Sequence, residues 1–292
     1  MTGPLRCGRL GCHPDDPSGG SASALKDPSS ERVRVEIADH VAVVTLTRPD
    51  KHNALDLPMF EGIIAAAERV SSEPGVRAVV LHGEGPSFCS GLDIMGVMGA
   101  GRGLEELTEP LRGVVPNFFQ RAAYEWIRVP VPVIAALHGN CFGGGLQIAL
   151  GADVRFAAPD TRLSVMEIKW GLIPDMSLTR TLPRLVGIDV AKELTFTGRV
   201  LTGPEAHALG VVTHVSDDPL AAGRELAAEI SSRSPDAVRS AKRLFDESWT
   251  GSPAETLALE ASLQLGLIGS PNQLAAVQAG FTKEPAEFVD PS

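Results

Sequence analysis

From residue 32 onward the apolar positions recur at two periods, and the switch between them lays out the chain. "RVRVEI" sets Val33, Val35 and Ile37 against charged neighbours, the two-residue period of a half-buried strand. "VAVVTLT" follows after Asp39-His40, which predicts a hairpin. "RPDKHNAL" reads as a loop, with Asn53 placed to cap the next helix. That helix carries Phe60, Ile63, Ile64, Ala67 and Val70 on one face. "VRAVVLHG" at 76–83 and "VIAALHG" at 133–139 have the continuous apolar character of buried strands. Between them, residues 114–128 suit a helix with Phe118, Phe119, Ala122 and Trp126 inward. "ADVRFAA" predicts a further strand, and "MEIKWGLIPDMS" an irregular passage.

Beyond about residue 188 the pattern turns helical, through "DVAKELTF", "GPEAHAL", "AAGRELAAEISS", "AVRSAKRLFDESW" and "ETLALEASLQLGLI". One short strand, "VVTHV", interrupts the series. The organisation read from these periods is an α/β core over 31–200 and a helical region over 201–292. Residues 1–30, rich in Gly, Pro, Ser and Asp, show no apolar periodicity and read as a disordered arm.

Composition narrows the function. The chain has 292 residues, 43% of them hydrophobic and 21% charged, the balance of an ordinary globular protein. A net charge of −10 argues against a nucleic-acid surface, and no apolar run is long enough for a membrane span. Cys7, Cys12, Cys89 and Cys141 form no zinc-type spacing, so no metal is expected and a reduced, cytoplasmic compartment fits. No strand leads into GxGxxG and no GxSxG elbow is present, which removes nucleotide-cofactor folds and serine hydrolases of that type. Cys89 in "FCSG" has no histidine that can be argued to activate it.

The chemistry concentrates at two glycine turns. "CFGGGLQIALGAD" at 141–153 begins a helix with three glycines, poor helix formers that leave backbone N–H groups open to a ligand. "GPSFCSGLDI" at 85–94 likewise ends a buried strand with small residues. Each alone reads equally as a tight turn. Two N–H donors converging from two loops would form an oxyanion hole.

The order of "RPDKHNAL", "FCSGLDI", "HGNCFGGGLQIALGADVRFA" and "MEIKWGLIPD" resembles the crotonase (enoyl-CoA hydratase/isomerase) superfamily over residues 32 to about 285. The resemblance implies a spiral of ββα turns with a helical C-terminal region, assembled as a homotrimer or a dimer of trimers. It implies an acyl-CoA substrate and no further cofactor. The oxyanion donors would be the backbone N–H groups of Leu92 and Gly144. Asn53, Ala54, Ser90 and Gly91 would lie along CoA, Lys51 near its phosphates, and Phe281 and Lys283 against CoA across a subunit boundary.

In the hydratases of that family two glutamates handle the water. Their positions here are Gln147 and Glu167, so one carboxylate is kept and one is replaced by an amide that cannot accept a proton. Asp175, eight residues after Glu167, resembles the arrangement of dienoyl-CoA isomerases, and reads otherwise as a helix cap. The resemblance therefore favours an enoyl- or dienoyl-CoA isomerase with Glu167 as general acid/base. A hydratase with Gln147 positioning water, or an acyl-CoA-binding protein with weak catalysis, are the alternatives.

Overall fold

The computed structural model describes residues 32–99 and 115–291; the arm at 1–30 lies outside them. The expected hairpin forms from β1 (Val33–Ala38) and β2 (Val41–Leu46), antiparallel, with Val33 opposite Leu46. Its two-residue turn, Asp39-His40, has positive φ at both positions, the backbone twist that matches the strands it joins. Helix α1 (Leu57–Ser72) then crosses to β3 (Ala78–Gly83), which runs parallel to β2.

After the short α2 (Ile94–Gly99), α3 (Phe118–Arg128) leads to β4 (Val133–Leu137), parallel to β3. A small strand β5 (Asn140–Phe142) turns into α4 (Gly144–Leu150). β6 (Val154–Ala157) returns beside β4, and β7 (Arg162–Ser164) pairs with β5 in a separate two-stranded sheet. α5 (Leu178–Thr181), α6 (Ile188–Thr197) and α7 (Gly203–Leu209) precede β8 (His214–Val215). The helices α8 (Pro219–Ser231), α9 (Pro235–Ser248), α10 (Pro253–Leu267) and α11 (Pro271–Thr282) complete the chain.

The main sheet has the order β1-β2-β3-β4-β6-β8. Its central parallel strands are apolar on both faces because both faces are covered. Leu46, Val79, Leu81, Ala135 and Leu137 belong to the larger core, which also takes in Phe60 of α1, Trp126 of α3 and Ile148 of α4. Val80, Ile134 and Ala136 point the other way, onto Ala227 of α8. Two consequences modify the sequence reading. The sheet and its second cover continue through β8 and α8, so residue 200 is not where the α/β layers stop. Of "VVTHV" only His214–Val215 joins the sheet, while Val211 and Val212 are buried ahead of it.

The cap of α1 is also corrected. Asp56, not Asn53, caps the helix, its carboxylate accepting from the Met59 N–H at 2.9 Å. Asn53 sits earlier, at φ 54°, where its amide braces the loop instead. No helix among the described residues is long and apolar enough to cross a membrane.

Candidate active site

The two glycine turns come together through the small sheet. Cys89 and Cys141 pair as a parallel bridge, and the Cys89 carbonyl accepts from the Phe142 N–H at 3.0 Å. Gly91 has φ +92°, and a Cβ there would meet the Phe142 carbonyl oxygen at 2.9 Å, so only glycine fits. On either side of Leu92, Leu55 donates its N–H to the Gly91 carbonyl (2.9 Å) and Asp93 donates to the Leu55 carbonyl (3.0 Å). The Leu92 N–H between them donates to no backbone carbonyl among the described residues.

The second turn bends at Gly143, φ +52°, whose N–H donates to Ser164. Gly144 is the first residue of α4, so its N–H has no acceptor within the helix. A Cβ on Gly145 would lie 2.7 Å from the Cys89 carbonyl oxygen, which is how closely the two turns approach. The glycines that open the helix against its propensity are thus explained by contact.

Leu92 and Gly144 line one cavity of about 580 Å³. Its walls are largely apolar, with Phe60, Val97, Phe119, Phe142, Trp170 and Ile173 among them; the polar side chains are Ser90, Gln147, Glu167 and Asp175. A second cavity of about 520 Å³, between α3 and α9, is lined by Arg180, Arg184 and Lys242 with Asp246 and Glu247, and contains none of the predicted site residues.

Gln147 is buried and bonded at both ends of its amide. Its Oε1 accepts from the Met176 N–H at 2.8 Å, which fixes the amide so that Nε2 donates to Glu167 Oε1 at 2.7 Å. Glu167 Oε2 is buried and has no hydrogen-bond partner. One carboxylate oxygen is therefore held by the amide, while the other carries no bond to the protein. Burial pushes the Glu167 carboxyl above the usual carboxylate range; the Gln147 amide pulls it back, and the Asp175 charge pushes it up further. Asp175 is also raised by burial. It caps no helix: α5 begins after Ser177, and Asp175 lines the cavity instead. Cys89 is buried with its thiol pushed up to about 12, so no thiolate nucleophile is present there.

The structure brings Ser90, Gly91, Leu92, Gly144, Gln147, Glu167 and Asp175 to one cavity. The others fall elsewhere. Asn53 is completely buried, its amide bonded to the Arg48 N–H and the Glu84 and Ser87 carbonyls, so its side chain offers nothing to CoA. Lys51 is exposed at the end of a single 3-10 turn before it (Pro49–Lys51), and the half-buried Ala54 gives its carbonyl to Arg48 at 3.0 Å. Phe281 and Lys283 lie exposed at the end of α11 and do not line the cavity. Two contributors escape sequence reasoning. The Met176 N–H is a backbone group, invisible to any motif. Arg48 stands in "RPDKHNAL" but reads there as an ordinary charged loop residue.

Known proteins are similar to this chain over most of its length. The model of the family described as enoyl-CoA hydratase/isomerase matches residues 36–288. The human mitochondrial delta(3,5)-delta(2,4)-dienoyl-CoA isomerase is 34% identical, the match covering 91% of this chain and 84% of that protein. The mouse mitochondrial methylglutaconyl-CoA hydratase is 30% identical, covering 97% and 92% respectively. The crystal structure of an enoyl-CoA hydratase from Bacillus anthracis superposes with a TM-score of 0.80 at 30% identity, covering 88% of this chain and 98% of that one. Matched over residues 36–288 and 34% identical to the human isomerase, the chain belongs to the enoyl-CoA hydratase/isomerase family.

Proposed function

We propose that the protein is an enoyl- or dienoyl-CoA isomerase, moving a double bond along an acyl thioester by proton transfer. Glu167 Oε2 removes a proton from the carbon beside the thioester carbonyl. The resulting negative charge collects on the carbonyl oxygen, where the Leu92 and Gly144 N–H groups receive it. The proton returns to the far end of the conjugated system, from Glu167 or from Asp175, and the double bond shifts. Every atom is conserved, and the chemistry calls for no cofactor beyond the CoA of the substrate.

The observation that carries this reading is the Gln147 clamp. Hydration needs a second carboxylate beside Glu167 to take a proton from water, and the amide there cannot accept one. Asp175 offers a different partner, eight residues on and in the same cavity. The resemblance to a dienoyl-CoA isomerase supports the same choice.

The test is side-by-side turnover of 3-enoyl-CoA, 3,5-dienoyl-CoA and crotonyl-CoA. Isomerisation should exceed hydration by at least about tenfold, roughly 1.4 kcal/mol in barrier. Hydration as fast as isomerisation would make the protein a hydratase, with Gln147 holding the water. Tight binding of all three without turnover would make it an acyl-CoA-binding protein.

The same reading extends to assembly. α10 has no buried residue, and Trp249, Leu257, Leu265, Leu274 and Phe281 are exposed along the C-terminal helices. A surface of that kind supports association, here as a trimer or a dimer of trimers in which Phe281 and Lys283 reach a neighbour's CoA. Lys51, Ala54, Ser90 and Gly91 take the CoA of their own subunit. Sedimentation as a single monomer would overturn the assembly. The cytoplasm is the compartment proposed from cysteine usage, although the mammalian relatives are named as mitochondrial.

A further inference from the structure

Leu92 is on a loop, between β3 and α2, and a donor on a loop works only if something fixes its direction. The hydrogen bonds that flank it run to Leu55, so the position of the Leu92 N–H follows from how Leu55 and Asp93 are held together. One side chain spans both.

We propose that Arg48 is a positioning residue that sets the Leu92 N–H for catalysis, by tying Asp93 to the segment that carries Leu55. The Arg48 Nη2 reaches Asp93 Oδ2 at 2.9 Å. Its Nη1 donates to the Ala54 carbonyl at 3.0 Å and lies 3.4 Å from Asp56 Oδ2. Ala54 and Asp56 are the two neighbours of Leu55, and Asp93 is the neighbour of Leu92. The guanidinium therefore grips the chain on both sides of the Leu55–Leu92 pairing. The opposite carboxylate oxygen of Asp93 accepts from the Gly96 N–H at 3.0 Å, which fixes the start of α2 to the same point.

Arg48 itself is only 12% exposed and does not line the cavity, so it acts on the reacting carbonyl through the loop. The planar fork matters more than the charge, because one ammonium cannot face Asp93, Asp56 and a carbonyl in that geometry. The inference rests on the proposed reading of Leu92 as an oxyanion donor.

The experiment compares wild type with Arg48→Met and Arg48→Lys, using 2,4-hexadienoyl-CoA labelled with ¹³C at the thioester carbonyl. Infrared difference spectra of the bound thioester report how strongly the carbonyl is polarised. In the wild type the band should move to lower frequency. In Arg48→Met it should return toward its solution value, with kcat down about 100-fold, the scale of one lost oxyanion donor, and KM within about threefold. Arg48→Lys should recover no more than about a tenth of the wild-type kcat. Glu167→Gln should leave the band shift in place, since that change spares the oxyanion donors. A full band shift in a folded Arg48→Met protein overturns the positioning role. Failure of the wild type to bind the thioester, or to shift its band, instead overturns the reading of the site. Should Arg48→Met not fold, Asp93→Asn decides by the same two readings, since it keeps an acceptor for Gly96 and removes the charge that Arg48 grips.

Discussion

The two turns that frame the cavity are held by opposite means. The turn at 89–93 is braced by charge: Arg48 grips Asp93, and Asp93 in turn anchors Gly96. The turn at 141–147 is braced by packing and by one neutral amide. Gly145 lies against the Cys89 backbone, and a Cβ on Gly144 would lie 2.9 Å from Leu55 Cδ1 and Met176 Sδ. Gln147 ties that turn to Glu167 and to the Met176 N–H. The contrast follows from burial. The first turn lies near enough to water for ions to remain solvated, with the Asp93 side chain 23% exposed. The second is buried from Gly143 onward, where an unpaired charge is expensive and small residues with a neutral amide are the stable choice.

Four changes break or sharpen this contrast, in descending order of expected effect. Glu167→Gln removes the proposed base that the packed turn supports, and should lower isomerase kcat by about 10²–10⁴-fold while thioester binding survives. Steady-state kinetics with a separate binding isotherm measures both, and near-wild-type turnover would remove Glu167 from the chemistry.

Gly145→Ala forces a Cβ against the Cys89 carbonyl oxygen and so pries the two turns apart. Overpacking of this kind costs about 1–3 kcal/mol of stability. Because the displaced backbone carries one proposed oxyanion donor and adjoins the other, kcat should fall by about 10²-fold or more. Denaturant titration and kinetics on the same preparation check the pair, and an unchanged kcat in the destabilised protein would separate the packing from the site.

Gln147→Glu puts a charge into the neutral turn. Met176 still donates to the new carboxylate, so the charge stays at position 147 and the pair holds one proton at Glu167 near neutral pH. Isomerisation should fall at neutral pH and recover as pH rises. Crotonyl-CoA hydration, which needs an acid beside a base, should gain about tenfold. A pH–rate profile for each reaction is the measurement, and flat hydration in a folded, thioester-binding variant would show that Gln147 is not what excludes hydratase chemistry.

The smallest effects concern stability and have opposite signs. Asp93 is held below the usual carboxylate range, by the Gly96 N–H first and by Arg48. Its ionised form therefore stabilises the fold above the ordinary carboxylate value, and this is lost as pH falls through the lowered one. Glu167 is raised, so the native state keeps its proton longer than the unfolded chain and loses stability as pH rises through the raised value. Thermal melts at pH 4 and pH 8 should show Asp93→Asn losing Tm and Glu167→Gln gaining it at the higher pH, by on the order of 2 °C each. Shifts of the same sign in both variants would refute the contrast.

The sequence by itself determined the hairpin, the order of buried strands and the faces of α1 and α3, because period and turn chemistry are local. It also marked both glycine turns, and the family resemblance those motifs carry pointed to Gln147, Glu167 and Asp175. What it could not determine was where polar groups find their partners. Asn53 looks like a helix cap until the fold places Glu84 and Ser87 beside it, more than thirty residues on. Asp175 looks like one until the cavity wall takes it. The boundary near residue 200 dissolves because α8 covers β3 and β4, strands from much earlier in the chain. Only the tertiary structure decided that Gln147 faces Glu167 on one side and a backbone N–H on the other. That pairing fixes which carboxylate oxygen stays free, and it depends on atoms brought together by the folding of the core rather than by their order in the chain.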